Sequence, residues 1–154
     1  MAHRYILKPE DEFPHTPGPE INFNESVYVN AFDDATGMGG WIRLGNRVNE
    51  GRAELSVVLY LPDGRIAIQV KSPRISNNDA FDAGGLRFDV VKPMQRIDAF
   101  YEGEVYIVDR PDALRDPKQF FATAPTAPCS VRWEMETISP QHGGEPATPD
   151  QPTM

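Results

Sequence analysis

The chain has 154 residues, 40% of them hydrophobic, with a formal net charge of -8 and a pI near 4.8. That length and apolar content suit one domain with a modest core and exclude two independent folds. Arg43, Arg47, Arg52, Arg65, Arg74, Arg87 and Arg96 form no basic run, and the net charge repels phosphates, so nucleic acid is not an expected partner.

Cys129 is the single cysteine, which rules out an intrachain disulfide and a cysteine metal cluster within one chain. The expected compartment is a reducing cytoplasm, and Cys129 reads as a passive thiol at a strand start. Residues 1–7 lack the basic and apolar regions of a signal peptide. No apolar run approaches the roughly 20 residues of a spanning helix, so no membrane span is expected.

Three segments follow from composition. Residues 1–22 form a proline-rich arm, with Pro9, Pro14, Pro17 and Pro19, expected to run extended and dock Tyr5, Ile6, Leu7 or Phe13. Residues 23–138 are the β domain. Residues 139–154 mix proline, glycine and small polar residues without apolar periodicity and are expected to be a flexible tail.

Within the β domain, β-branched and aromatic runs alternate with Gly, Asp, Asn and Pro, the pattern of successive antiparallel strands. Ser26 to Asp33 is the first, closed by an Asp33-to-Gly37 turn, and Gly39 to Asn46 pairs back across it. After Asn49-Glu50-Gly51, Arg52 to Leu61 sets Ala53, Leu55, Val57 and Leu59 on one face. Pro62-Asp63-Gly64 is a tight turn, because proline presets one turn position and glycine accepts positive φ at the next. The return strand runs to Val70, and a loop spans Ser72 to Asp79. Leu86, Phe88 and Val90 alternate in a strand that stops at Pro93. Met94 to Tyr101 and Glu104 to Asp109 read as a hairpin turning at Glu102-Gly103. Pro111 to Ala122 is the one helical candidate, and Val131, Trp133, Met135 and Thr137 alternate in a last strand. About eight strands in meander order are best satisfied by an all-β, lipocalin-like antiparallel barrel or half-barrel with one short helix, and a sandwich is the rival.

The segments Asn24 to Asp33, Gly37-Met38-Gly39-Gly40-Trp41 through Arg47 and Asn49-Glu50-Gly51 resemble the opening of carotenoid-hydratase-like, or hydroxyneurosporene-synthase-like, proteins. Gly85 through Arg96, Tyr101-Glu102-Gly103 and Ser139 through Glu145 are similar to the same group. The resemblance spans roughly residues 22 to 145 and implies a two-lobed lipocalin-like family that hydrates, cyclises or otherwise converts isoprenoids and other apolar molecules. Only the first lobe is matched. That implies a homodimer, a separately encoded second lobe or a stand-alone binder.

An apolar pocket with a few convergent polar groups is the usual form of a small-molecule site. Tyr28, Asn30 and Phe32 share one face of the first strand, Trp41 and Arg43 one face of the second, and Glu54 and Tyr60 one face of the third. Turned inward, these faces would bind an apolar molecule, with Asn30, Phe32, Trp41, Arg43 and Tyr60 as ligand contacts. A desolvated Glu54 of raised pKa would then donate a proton while Tyr28 positions the substrate. Turned outward, they are ordinary strand residues. Such an enzyme would be a cofactor-independent lyase or isomerase.

His3, His15 and His142 have no metal-ligand spacing, Asp33-Asp34 reads as a turn cap, and Gly37-Met38-Gly39-Gly40 precedes no helix, so no metal or cofactor is expected. Two functions from different classes remain. One is a binder or converter of an isoprenoid, steroid or lipid, and the other is a non-catalytic assembly module that pairs with a second lobe or with itself.

Overall fold

A computed structural model describes residues 7–140; the expectations for Tyr5, Ile6 and His3, and for His142 with the rest of the tail beyond residue 140, lie outside them. Eight antiparallel strands form one sheet: β1 (Glu25–Asp33), β2 (Met38–Arg47), β3 (Arg52–Tyr60), β4 (Ile66–Lys71), β5 (Asp82–Ala83), β6 (Leu86–Lys92), β7 (Arg96–Val108) and β8 (Thr126–Glu136). β1 to β4 form a meander. β7 then pairs along one edge with β6 and, further on, with β4, and along its other edge with β8. Among the described residues no ladder joins β1 to β8, so the sheet is an open half-barrel with a seam between its first and last long strands.

The hairpins follow their turn chemistry. At Pro62-Asp63-Gly64, the Leu61 amide donates to the Arg65 carbonyl at 2.9 Å, and Gly64 takes a φ of +84°. The hairpin expected at Glu102-Gly103 is absent. β7 runs unbroken for 13 residues, and the Tyr101 ring lies over Gly103 while its hydroxyl donates to the Glu104 carbonyl at 2.7 Å. Gly103 therefore makes room for a side chain within a strand rather than turning the chain. The reversal comes earlier, between β6 and β7, where Met94 takes a φ of +61° and the Gln95 amide donates to the Lys92 carbonyl at 2.9 Å.

β8 starts earlier than its alternation suggested, at Thr126, and includes Pro128. β8 is paired along one side only, the position in which a strand tolerates a residue without an N–H. The helical candidate divides at Pro117. Pro111–Arg115 is a 3-10 turn and α1 is Pro117–Thr123, capped by Asp116, whose carboxylate accepts from the Gln119 amide at 3.1 Å.

Strict alternation sends one face of every long strand to the core: Ile42 and Leu44 from β2, Leu55 and Val57 from β3, Leu86 and Phe88 from β6, Ala99 and Tyr101 from β7. Val27 and Val29 of β1 and Val131 and Trp133 of β8 pack at its margin. Full burial of a Leu or Ile side chain contributes about 1.5–3 kcal/mol, so this face fixes the register.

Residues 7–22 lie on the domain and are held largely by polar contacts, with Leu7 and Phe13 still 41% and 44% exposed. Pro9–Glu12 forms a short 3-10 turn, and the chain turns again before β1, where the Phe23 amide donates to the Glu20 carbonyl at 3.0 Å. The Asn49 side chain donates to the Gly18 and Glu20 carbonyls at 2.8 and 2.7 Å, and the Met94 amide donates to the Glu12 carboxylate at 2.6 Å. The buried Asn46 amide donates to Asn78 at 2.9 Å, and Asn78 in turn donates to the His15 carbonyl and the Glu25 carboxylate at 2.8 and 2.7 Å.

Candidate functional site

The seven residues expected to form a site do share one face of the β1–β3 sheet, and it is the face opposite the core. Register fixes this: Val29 lies across from Ile42 and Ile42 across from Val57, so Asn30, Trp41 and Val58 project the other way. Tyr28 and Trp41 meet there with ring centroids 6.0 Å apart. Asn30 lies across from Trp41, and Arg43 across from Tyr28. Tyr60 stands across from Gly39, exposed.

Glu54 lies toward the other end of β3, six residues from Tyr60, or about 20 Å along the strand. Its carboxylate is 2.8 Å from Arg52, 2.9 Å from Arg47 and 3.6 Å from Arg43, while Glu50 is 2.6 Å from Arg47 and 2.8 Å from Arg52. The expectation of a desolvated acid is corrected here. The hydrogen bond from Arg52 first, then the charge of Arg47, hold the Glu54 carboxyl below its ordinary range against the opposing effect of burial. An ionised carboxylate tied to guanidinium groups has no proton to donate to an alkene or epoxide. Burial pushes the Cys129 thiol up, as suits a passive thiol.

A mainly apolar recess lies elsewhere, at the seam. There the tip of the β1–β2 hairpin faces β8 across the missing ladder and leaves a groove of about 420 Å³. β1 contributes Ala31, Phe32 and Asp33; the turn and β2 contribute Thr36, Met38 and Gly39; Leu59 forms part of the wall, and Val131 and Trp133 of β8 face them. Phe32 alone of the seven expected residues lines it. Two glycines shape the hairpin tip. The Phe32 ring lies directly over Gly39, where a Cβ would collide with it, and Gly40 (φ +151°) lets β2 approach the Val58 carbonyl more closely than any side chain permits.

Asp33 is the one ionisable side chain in that lining. Its carboxylate accepts from the Thr36 hydroxyl at 2.7 Å and from the Ala35 amide at 3.0 Å, and these bonds, the hydroxyl foremost, lower its pKa. The turn-cap reading of Asp33 is thus observed. Alternation marks Trp133, Val131 and Leu59 only as strand residues, and Met38 falls between the expected turn and the second strand. The signal that could have marked them was topological: inner-face residues on the first and last strands of an unclosed meander must line its seam.

The fold and the site together define an open antiparallel β half-barrel with an apolar groove at its seam. The chain belongs to the family described as domain of unknown function DUF7064, whose profile matches residues 8–153. Neither a curated protein nor a solved structure matches it. Among the described residues no helix is long and apolar enough to cross a membrane.

Proposed function

We propose that this domain binds an apolar small molecule in the groove between the β1–β2 hairpin and β8. The observation that carries this reading is the groove itself. Its volume of about 420 Å³ falls in the range of roughly 300–1,000 Å³ typical of small-molecule sites, and its lining combines aromatic and aliphatic side chains with two polar ones. The resemblance to carotenoid-hydratase-like proteins agrees with an isoprenoid, steroid or lipid as the guest. Conversion of the guest has less support, since Glu54 is ion-paired on the opposite face and Asp33, held ionised at neutral pH, is a poor general acid.

The chain has two tryptophans, so Trp41→Phe leaves Trp133 as the sole indole reporter in the groove. Titration of that variant with farnesol is expected to change Trp133 fluorescence saturably, and Val131→Phe, which fills the groove, to abolish the change. Absence of any change up to the solubility limit of farnesol would overturn this reading.

A second reading rests on a separate observation. Tyr28, Phe32, Tyr60 and Val70 are 53%, 63%, 41% and 53% exposed on the outer face of β1–β4, a concentration of apolar surface that suits assembly with a second lobe or a second copy. Native mass spectrometry separates the two, because the assembly reading requires more than one protein chain and the binding reading requires a retained small molecule.

A further inference from the structure

We propose that the seam groove selects a cationic amphiphile, an apolar chain ending in an ammonium group, over neutral or anionic molecules of the same length. This rests on the groove being the binding site. Its lining brings the faces or edges of two aromatic rings, Phe32 and Trp133, together with one carboxylate, Asp33, and no lysine, arginine or histidine. An aromatic wall attracts a cation through the negative face of its ring, and Trp is the strongest such partner. A carboxylate at the same recess adds direct Coulomb attraction.

Asp33 is already fixed in place. The bonds from Thr36 and Ala35 hold its carboxylate in one orientation at the hairpin tip, so a ligand ammonium meets a preorganised acceptor. Those bonds keep it anionic across the neutral range. Two bonds use part of its acceptor capacity, since an ionised carboxylate offers about four lone-pair sites. The net charge of -8 adds a long-range field that draws cations and repels carboxylate-headed lipids. Met38, Leu59 and Val131 supply the apolar lining for the chain of such a ligand.

The same lining gives a fatty acid no favourable partner. Its headgroup would sit beside Asp33 with no cation in the recess to offset the repulsion. A neutral alcohol retains the apolar contacts and a hydrogen bond to Asp33, and so falls between the two.

The test is calorimetric titration of the full chain at neutral pH with octylammonium, octanol and octanoate, all below their micellar concentrations. The ammonium compound is expected to bind about five- to tenfold more tightly than octanol, and octanoate more weakly than either, the scale of a partly exposed cation–π contact plus one charge pair. Asp33→Asn is expected to remove most of the ammonium preference and to leave octanol affinity within about twofold. Asp34→Asn changes net charge by the same amount at a residue outside the groove lining, and is expected to preserve the preference. Equal affinity for all three probes, with binding intact, overturns the cation selectivity and leaves the binding site standing. Failure of every probe to bind overturns the site as well. An equal loss in both Asp variants assigns the preference to net charge and overturns the role of Asp33. Should Asp33→Asn fail to fold, the ranking of the three probes on the unmodified chain decides the matter.

Discussion

The outer face of the sheet is two surfaces joined at β4 and β7. On β6–β8, charges are paired along each strand, and once across β7 and β8: Arg87 lies 2.9 Å from Asp89, Arg96 2.8 Å from Asp98, Arg132 2.5 Å from Glu134, and Arg96 3.2 Å from Glu134 on the neighbouring strand. Phe100, the aromatic among them, lies between the guanidinium groups of Arg87 and Arg132, 4.7 and 5.1 Å from its ring centroid. On β1–β4 the rows toward the Tyr60 end of β3 are apolar. Trp41, Val58 and Ile68 line up with Tyr106, and Gly39, Tyr60 and Ile66 with Val108. α1 covers the β7 end of these rows with Phe120 and Phe121, and the remainder has no equivalent cover among the described residues. One half is thus finished against water by its own ion pairs. The other is finished by ion pairs only at its Glu54 end, and elsewhere only where the helix lies on it.

The largest test of that contrast is to remove the cover. Phe120 is 7% exposed and packs on Tyr106, so Phe120→Ala is expected to cost about 3 kcal/mol, through lost burial and the space left beneath the helix. Urea unfolding measures it. A cost below about 1 kcal/mol would mean that α1 merely rests on the sheet, and that the apolar rows need no cover.

A smaller loss is expected on the charged half from Asp98→Asn. The Asp98 side chain is 6% exposed and accepts two bonds from Arg96, which hold its carboxyl below the ordinary range. A depressed carboxyl stabilises the fold above its unfolded pKa, and that stabilisation is lost as pH falls from about 3.8 through the folded value. The variant should therefore lower the urea midpoint at pH 7, and the gap from the parent should narrow as pH drops below 3.8. A gap independent of pH would remove the charge pairing from the explanation. Tyr28→Ser together with Tyr60→Ser, at exposed positions on the aromatic half, should shift stability by no more than about 0.5 kcal/mol each. Their effect should appear instead as reduced binding of a hydrophobic dye. A loss of stability comparable to that of Phe120→Ala would show that those rings are part of the fold's own packing.

How much of this was legible in the sequence differs between fold and site for physical reasons. Alternation marked the inner face of β3 and β8 residue by residue, because a half-buried strand must place its apolar side chains at every second position. It could not say which face of β1 and β2 turned inward, since Val27, Val29 and Ala31 alternate with Tyr28, Asn30 and Phe32, and both sets carry apolar groups. Cross-strand register against Leu55 and Val57 settles that, and register is a tertiary fact. Gly103 misled in the same way. A glycine after Glu102 has the local chemistry of a turn, and only the Tyr101 ring lying over it shows why the strand continues. The groove was invisible because it is lined by the first and last long strands, with Asp33 and Trp133 a hundred positions apart in sequence.

The smallest expected effect belongs to the segment that joins neither half. His15 contacts the Glu25 carboxylate through its ring Nδ1, and Asp11 through Nε2 at 3.7 Å, while Asn78 holds its carbonyl. The hydrogen bond to Glu25 comes first and, with the charge of Glu25 and the hydrogen bond and charge of Asp11, raises its pKa above 6.5 against the opposing effect of desolvation. The sign is opposite to that of Asp98. Protonated His15 contributes its full stabilisation below pH 6.5, and that contribution disappears as pH rises through the higher folded value. Its ring is 55% exposed, so solvent screening keeps the contribution small. Thermal midpoints measured at pH 6 and pH 9 should show the parent chain losing more than His15→Gln over that interval. The His15 amide proton, which donates to the Glu25 carboxylate at 2.9 Å, should exchange faster at the higher pH, after correction for intrinsic rates. Identical pH dependence in the two chains would mean that residues 9–20 are held by Asn49, Asn78, Met94 and the bond from the His15 backbone amide to Glu25, and that the imidazole adds charge without adding attachment.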